Sequence, residues 1–223
     1  MSILRPLPIS YKESLEIAVA AYELQIHRAG EYLRARGLSP STAERFRMGV
    51  VVDPHSGHEA MTGRLVIPSI GPNGIYQLKF RCIQMHDCKE IGHSKYLTDA
   101  HDNRLFNVRA IVEAQNVICI TEGEIDAITL EQIGYKAVAA PGSNTWRKHH
   151  ARMFAGFQRV YLFGDGDKAG RDFVKSVGET LPNAVRLTFD DGDDINQVYT
   201  RDGAGPILEL MGITGAESNV YRE

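Results

Sequence analysis

The stretch "QRVYLFGDGDKAGRDFVKSVGETL" (residues 158–181) decides the fold. Its opening apolar and aromatic run, residues 158–163, is typical of a buried β-strand, and residues 168–181 place apolar side chains at helical spacing. Between the two segments, Asp165 and Asp167 stand two residues apart, so in extended chain both side chains point the same way. Two neighbouring carboxylates repel each other and need a positively charged partner. The stretch therefore predicts a strand, a turn that binds a cation, and a helix.

The rest of the second half repeats this alternation of strand and helix. We expect the following further elements: strands at 116–121, 136–140 and 183–189, and helices at 124–134 and 145–156. Strands that alternate with helices indicate a parallel sheet covered by helices on both faces. The predicted fold class of this half is therefore α/β, similar to a Rossmann-like sheet.

The first half predicts a small α+β subdomain. A long helix is expected at 11–37 and a short capped helix from 41 or 42 to 49. The segment "GRLVIPSIGPNGIYQLKFRCI" (63–83) predicts a hairpin with its turn at 71–74. The polar segment 84–105 is interpreted as a loop.

Acidic residues follow three of the predicted parallel strands. Glu122 follows the first, Asp165 and Asp167 follow another, and a third group comes after 183–189: Asp190, Asp191, Asp193 and Asp194. Ligands of open parallel sheets bind outside the carboxyl ends of the strands. Carboxylates without cysteine or histidine favour Mg²⁺ or Mn²⁺. The alternative is that Asp167 and Glu122 only cap the helices that follow them.

Charge and cysteine content narrow the class of protein. The net charge is −3, yet residues 1–110 carry 14 Lys/Arg against 11 Asp/Glu, and residues 111–223 carry 11 against 17. A basic half beside an acidic half suits a protein that binds metal on one side and a polyanion on the other, although chance scatter explains so small a difference equally well. Three cysteines form no paired framework, which favours a reducing compartment. No apolar run is long enough to span a membrane.

Four residues between 82 and 93 could be interpreted as a zinc site. Cys82, His86, Cys88 and His93 give the pattern C-x₃-H-x-C-x₄-H. This spacing matches none of the standard zinc patterns, and Cys82 closes a predicted strand. The sequence therefore favours the interpretation that these four residues do not bind a metal ion.

The acidic motifs resemble those of the Toprim domain, which bacterial-type primases, topoisomerases and certain nucleases share. The motifs are "EGEID" (122–126), "DGDKAGR" (165–171) and "DGDDIN" (191–196), and their spacing is most similar to that of DnaG-type primases. Four further stretches resemble the primase core: 32–49, 63–81, 95–106 and 142–154. The resemblance implies an N-terminal α+β subdomain at 1–110, a Toprim domain at 111–205 and a C-terminal tail at 206–223.

The resemblance also implies roles for individual residues. Two or more Mg²⁺ or Mn²⁺ ions would be bound by Glu122, Asp165, Asp167 and Asp194, of which the first three would be catalytic. Arg81 and Lys95 match basic positions that contact substrate and nucleic acid in the family, and Arg109 is a candidate substitute for the family's second lysine. Lys168 is a candidate by its position alone: at a helix start it could join an anion site built from backbone N–H groups, although a solvated surface lysine explains it at least as well. The acids would be supported by Asp126, Asp191, Asp193 and Asn196. Asn196 stands where the family has its final aspartate, and Asn107 or Val108 stands where the family has a second lysine.

The implied function is the synthesis of short RNA primers by metal-dependent nucleotidyl transfer on single-stranded DNA. The implied enzyme is a DNA primase core without its zinc-binding and helicase-binding domains, similar to some phage primases. Nucleoside triphosphates would be substrates, a replicative helicase or a separate zinc-binding protein would be a partner, and the bacterial or host cytoplasm would be the location. Two alternatives remain open: a metal-dependent Toprim nuclease, and a non-catalytic DNA-binding or interaction module.

Overall fold

The computed structural model describes residues 8–99, 104–141, 145–190 and 192–213. They form two compact units, one from residues 8–34 and 40–99 and the other from residues 35–39 and 104–213. None of the helices in the described part of the chain has both the length and the apolar character needed to cross a membrane. The predicted boundaries after residues 110 and 205 stay a prediction.

An antiparallel sheet is the centre of the first unit. Its four strands are neighbours in chain order: β1 (Gly49–Val50), β2 (Leu65–Gly71), β3 (Gly74–Arg81) and β4 (Tyr96–Thr98). The helices of residues 8–45 are α1 (Ile9–Glu23), α2 (Gly30–Ala35) and α3 (Pro40–Arg45), with a 3₁₀ turn at Ile26–Ala29. Buried apolar side chains of α1, such as Leu15 and Val19, pack against Leu78 and Phe80 of β3. The predicted hairpin is confirmed, because β2 and β3 pair around residues 71–74.

Three expectations for the first unit are wrong. The long helix predicted at 11–37 breaks after Glu23, next to the point where Gly49 of β1 lies so close to the backbone of Tyr22 that a side chain at residue 49 would collide with it. The short helix predicted to reach 49 ends at Arg45. The segment 84–105 is not wholly a loop, since Tyr96–Thr98 pairs with the end of β3.

A parallel sheet is the centre of the second unit. Its strands are β5 (Val117–Thr121), β6 (Ala137–Ala139), β7 (Arg159–Gly164) and β8 (Ala184–Thr188), in the spatial order β6-β5-β7-β8. The helices are α4 (Arg109–Glu113), α5 (Glu124–Gln132), α6 (Ala151–Phe154), α7 (Lys168–Gly178), α8 (Ile195–Asp202) and α9 (Gly205–Leu210). The predicted α/β class with a parallel sheet is confirmed.

Both faces of this sheet are covered. Consecutive residues of β7 point to opposite faces, yet Val160, Tyr161, Leu162 and Phe163 are all buried. Val160 and Leu162 share an apolar cluster with Phe173 of α7 and its neighbours one turn on. A sheet with helices on one face alone would leave Tyr161 and Phe163 in water.

The helix predicted at 145–156 is much shorter than expected. Lys148–His150 forms a 3₁₀ turn, and α6 contributes only the four residues Ala151–Phe154. Trp146 donates its indole N–H to Thr180 Oγ1 at 3.0 Å, and the N–H of Arg147 is bound by the His150 ring at 3.1 Å. These contacts hold the backbone at Arg147 in an extended conformation, which the spacing of apolar residues does not predict. Helices α4, α8 and α9 are additional to the prediction.

Glycines make the turn after β7 possible. A Cβ at Gly166 would overlap the carbonyl oxygen of Asp190, because the backbone at Gly166 lies directly against Asp190 and Gly192. Two backbone hydrogen bonds join the turns, Gly166 N–H to Asp193 O at 2.8 Å and Gly192 N–H to Gly166 O at 3.4 Å. The carboxylates that follow two neighbouring strands are thereby brought to one edge.

We expect Gly166→Ala to lower the free energy of unfolding by about 1–3 kcal/mol, the usual cost of overpacking. The matched control is Gly156→Ala, where an added methyl group meets no atom within 4 Å. Urea denaturation of both variants measures the difference. Equal stability of the two variants would contradict the close approach of the two turns.

Candidate metal centre

Glu122 occupies the carboxyl end of β5. It is half-buried between the strand and α5, and Thr121 fixes the turn by donating its hydroxyl to Gly123 O at 2.8 Å. The Oε2 atom of Glu122 is buried without a hydrogen-bond partner among the described residues. Burial and the charge of Asp167 raise the pKa of this carboxyl. A buried, unsatisfied carboxylate oxygen next to a second carboxylate fits a metal ligand.

Asp165 lies at the centre of the acidic group. It follows β7 directly and is half-buried. Burial, and then the charges of Glu122, Asp194 and Asp167, raise the pKa of Asp165 to about 7. Residues from three separate strand ends therefore repel one another at one edge of the sheet. We name Glu122, Asp165, Asp167 and Asp194 the acidic edge.

Asp167 and Asp194 also cap helices. Asp167 Oδ1 accepts a hydrogen bond from Gly170 N–H at 2.8 Å at the start of α7. Asp194 Oδ1 accepts from Gln197 N–H at 2.7 Å, and Gln197 Oε1 accepts from Asp194 N–H at 2.9 Å, which completes a capping box at α8. The capping interpretation is confirmed for Asp167. Because only one oxygen of each carboxylate is used in this way, capping leaves the other for a cation.

Asp126 is a buried acidic residue close to the acidic edge. It is buried on the first turn of α5, and a Cβ at Gly123 would overlap its Oδ2 atom. Burial, followed by the charges of Asp194 and Asp165, raises its pKa well above the ordinary value, although the Asn196 N–H and Arg36 act in the opposite direction. Asp126 Oδ1 accepts that N–H at 3.1 Å.

Asn196 serves as a structural tie. Its side-chain amide donates to Arg36 O at 2.8 Å and to Thr129 Oγ1 at 3.0 Å, and its Oδ1 accepts from Arg36 Nη1 at 3.1 Å. The side chain joins residues 35–39 to α5 and α8, and its oxygen is occupied. The sequence did not indicate Arg36 or Thr129, since their partners lie far away along the chain.

The remaining predicted residues of the second unit lie in varied settings. Asp193 forms a two-pronged ion pair with Arg201, at 2.9 Å for each oxygen, which lowers the pKa of Asp193. Lys168 is exposed at the start of α7, and Arg109 begins α4, where its Nε donates to Asn107 Oδ1 at 3.1 Å. Asp191 lies outside the described residues.

Asn107 has a role within the fold. It is buried with φ +56°, and its amide donates to Glu131 Oε1 at 3.0 Å and to Ala137 O at 2.9 Å. Asn107, one of the two positions that could match the family's second lysine, therefore serves packing beside β6.

The two predicted contacts in the first unit differ in exposure. Lys95 is exposed just before β4. Arg81 is only 5% exposed at the end of β3, with its guanidinium 5.3 Å from the ring centre of Tyr32 and 4.9 Å from that of Tyr96, whose hydroxyl it also contacts. The sequence missed these two tyrosines, because a cation–π contact across strands leaves no fixed spacing.

The acidic edge fits a divalent cation. Its donors are hard carboxylate oxygens, burial and neighbouring carboxylates raise the pKa values of Glu122 and Asp165, and the buried Oε2 atom of Glu122 lacks a hydrogen-bond partner among the described residues. Oxygen ligands of this kind suit Mg²⁺ and related ions.

Comparison with known proteins finds a matching family and several relatives. The Toprim-like family matches residues 119–199. Gene 57 protein of Mycobacterium phage D29 is 41% identical over 121 residues, covering 54% of this chain and 80% of that protein. The DNA primase of Aquifex aeolicus is 26% identical over 234 aligned positions, covering 88% of this chain and 43% of the primase. The chain therefore spans less than half the length of that primase.

A solved structure has the same fold. The structure of the DnaG primase catalytic domain bound to ssDNA superposes with a TM-score of 0.73 at 22% identity, covering 94% of this chain and 83% of that one. At 22% identity, this similarity is evidence for a shared fold and for nothing further. The predicted Toprim fold, with the architecture of a DnaG catalytic core, is confirmed.

Stability should depend on pH through Asp165. The unfolded carboxyl ionises near its ordinary pKa of about 3.9, whereas the folded one stays protonated up to about 7. Between these values the folded state binds more protons, so without divalent ions its stability falls as pH rises. Added Mg²⁺ should raise the melting temperature more at pH 8 than at pH 5, because protons and metal compete for the same oxygens.

Thermal melts across this pH range test the expectation. Asp165→Asn should show a shallower fall in stability and a smaller response to Mg²⁺. The control Asp172→Asn changes an exposed aspartate of α7 and should keep both. Identical pH profiles of the wild type and Asp165→Asn would contradict the assignment.

Proposed function

We infer the function from the family: the chain belongs to the family of the phage gene 57 protein and contains a Toprim domain. We propose that it is a primase-type nucleotidyltransferase that makes short RNA primers on single-stranded DNA. The observation that carries the proposal is the acidic edge, where burial and the carboxylates that follow three strands raise the pKa of Asp165. The match to DNA primases over most of the chain, which includes the first unit, favours a primase over a Toprim nuclease.

The acidic residues would divide the work of binding two or more Mg²⁺ or Mn²⁺ ions. Glu122 and Asp165 would hold the ion nearest the attacking 3′-hydroxyl, and Asp165, Asp167 and Asp194 would hold the nucleoside triphosphate through its ions. Bound ions of this kind lower the pKa of an attacking hydroxyl and stabilise the charge of leaving pyrophosphate. Asp126 would position the edge, because it contacts the α8 backbone at Asn196 and lies buried among the acids.

The first unit would contact the DNA template. A DnaG catalytic domain of the same fold is described as bound to ssDNA. Exposed Lys95 would contact the phosphate backbone of the DNA. Buried Arg81 would position Tyr96, which is next to Lys95 in the chain. In the second unit, Arg109 and Lys168 would add positive charge that attracts the phosphates of the nucleoside triphosphate. The protein would act in the bacterial cytoplasm, that of the host if the chain is encoded by a phage, together with a replicative helicase or a zinc-binding accessory protein.

Primer synthesis tests the proposal directly. The chain is incubated with single-stranded DNA, labelled nucleoside triphosphates and Mg²⁺ or Mn²⁺, with and without a replicative helicase. We expect labelled oligomers from the wild type and from Asp172→Asn, and a loss of more than about a hundredfold for Asp165→Asn, since loss of a metal ligand should exceed the roughly 10–100-fold cost of losing a supporting group.

The other outcomes identify the alternatives. Shortened DNA without synthesis, lost in Asp165→Asn, would indicate a nuclease. DNA binding without either reaction, unchanged in that variant, would indicate a non-catalytic module and overturn the proposal.

Binding to single-stranded DNA should depend on Lys95. We expect Lys95→Ala to weaken binding uniformly across sequences and to reduce the slope of log K against log salt by about 0.7, the value for one contact to a single-stranded phosphate backbone. Lys89→Ala, an exposed lysine of the preceding loop, is the matched control. Fluorescence anisotropy at several salt concentrations measures both slopes, and an unchanged slope for Lys95→Ala would exclude the contact.

A further inference from the structure

A second group of metal-type side chains lies outside the acidic edge. The segment between β3 and β4 brings Cys82, His86, Cys88 and His93 together, with one ligand atom of each residue within 4.8 Å of all the others. The sequence spacing alone did not favour this outcome. We name these four residues the Cys–His cluster.

The distances inside the Cys–His cluster are close to those of a tetrahedral site. Cys82 Sγ is 3.6 Å from His86 Nε2, and His86 Nε2 is 2.7 Å from His93 Nε2. Zinc with bonds of about 2.3 Å to sulfur and about 2.0–2.1 Å to nitrogen sets S···N separations near 3.6 Å and N···N separations near 3.3 Å. A shift of about half an ångström between the two imidazole rings completes the geometry.

A hydrogen-bond partner already orients one ligand. His93 Nδ1 lies 3.1 Å from Ser94 O and, more distantly, 3.4 Å from Arg64 Nη2. In the tautomer whose Nδ1–H donates to the nearer carbonyl, Nε2 is the lone-pair donor. Arg64 Nη1 donates to the same carbonyl at 3.0 Å. A hydrogen bond from the second ring nitrogen to a backbone carbonyl, as His93 can make to Ser94, is common among zinc-binding histidines.

The backbone of the segment is closed at both ends. Cys82 N–H donates to Lys95 O, and His93 N–H donates to Cys88 O, each at 2.9 Å. Apolar packing does not order the segment, because Met85 is 100% exposed and Ile91 is 61% exposed. A short segment without its own core commonly depends on a metal or a disulfide for order.

We propose that Cys82, His86, Cys88 and His93 bind one structural zinc ion. Two thiolates and two imidazoles form the closed, four-ligand set that structural zinc prefers, in contrast to the oxygen donors of the acidic edge. The site is flanked by Arg81 on one side and Lys95 on the other, so the ion fixes the segment that joins these two residues. The proposal does not rest on the proposed function.

Metal analysis of the whole chain tests this site. We expect about one zinc ion per chain after purification, removal by a chelator with a fall in melting temperature, and recovery of both with Zn²⁺. Cobalt substitution should give the visible absorption of a tetrahedral thiolate site. Cys82→Ser, Cys88→Ser and His86→Ala should each weaken zinc binding by more than about a hundredfold.

Matched controls separate the site from other cysteines, histidines and acids. Cys119→Ala changes the buried cysteine of β5, and His149→Ala changes an exposed histidine; both should keep the zinc, as should Asp165→Asn. The proposal is overturned if the wild type takes up no zinc, if the ligand variants bind it as well as the wild type does, or if the thiols are found joined as a Cys82–Cys88 disulfide in metal-free protein.

Discussion

Mutual repulsion among the carboxylates at the end of the parallel sheet is the constraint on which the second unit depends. The pKa of Asp165 rises to about 7 because burial and three neighbouring acids all disfavour its charge. Folding therefore has to hold these groups together against their own electrostatics. The capping bonds of Asp167 and Asp194, together with the close contact of the 166 and 190 turns, provide that fixed geometry. A divalent cation then gains more from the edge than it would from four separate surface acids.

Features that depend on local spacing were predictable from the sequence. The strand of 159–164, the turn with Asp165 and Asp167, and the helix from Lys168 follow from apolar periodicity and a cap residue. The convergence of Glu122 with these aspartates follows from parallel pairing, since β5 and β7 are neighbours that end at the same edge. The site could be predicted because its members come directly after strands.

Features set by contacts between distant residues were not predictable. The break after Glu23 lies where Gly49 approaches the backbone, and the residues before the short α6 include Trp146, which is hydrogen-bonded to Thr180. Asn196 stands where the resembling family has its final aspartate, and hydrogen bonds to Arg36 and Thr129 occupy its amide. For each residue, the deciding partner lies far away in sequence, where periodicity and propensity carry no information.

Capping and metal binding proved compatible rather than alternative interpretations. A carboxylate has two oxygens and several lone pairs, so Asp167 can satisfy Gly170 N–H and still offer an oxygen to a cation. The Cys–His cluster has no such spare capacity, because each thiolate or imidazole gives its one donor atom. A saturated set of soft ligands favours a permanent structural ion, whereas an oxygen edge with unsatisfied charge favours ions that arrive and leave with phosphates. The two sets of side chains are thus suited by ligand chemistry to different proposed tasks: the Cys–His cluster to ordering a segment, and the acidic edge to the proposed reaction.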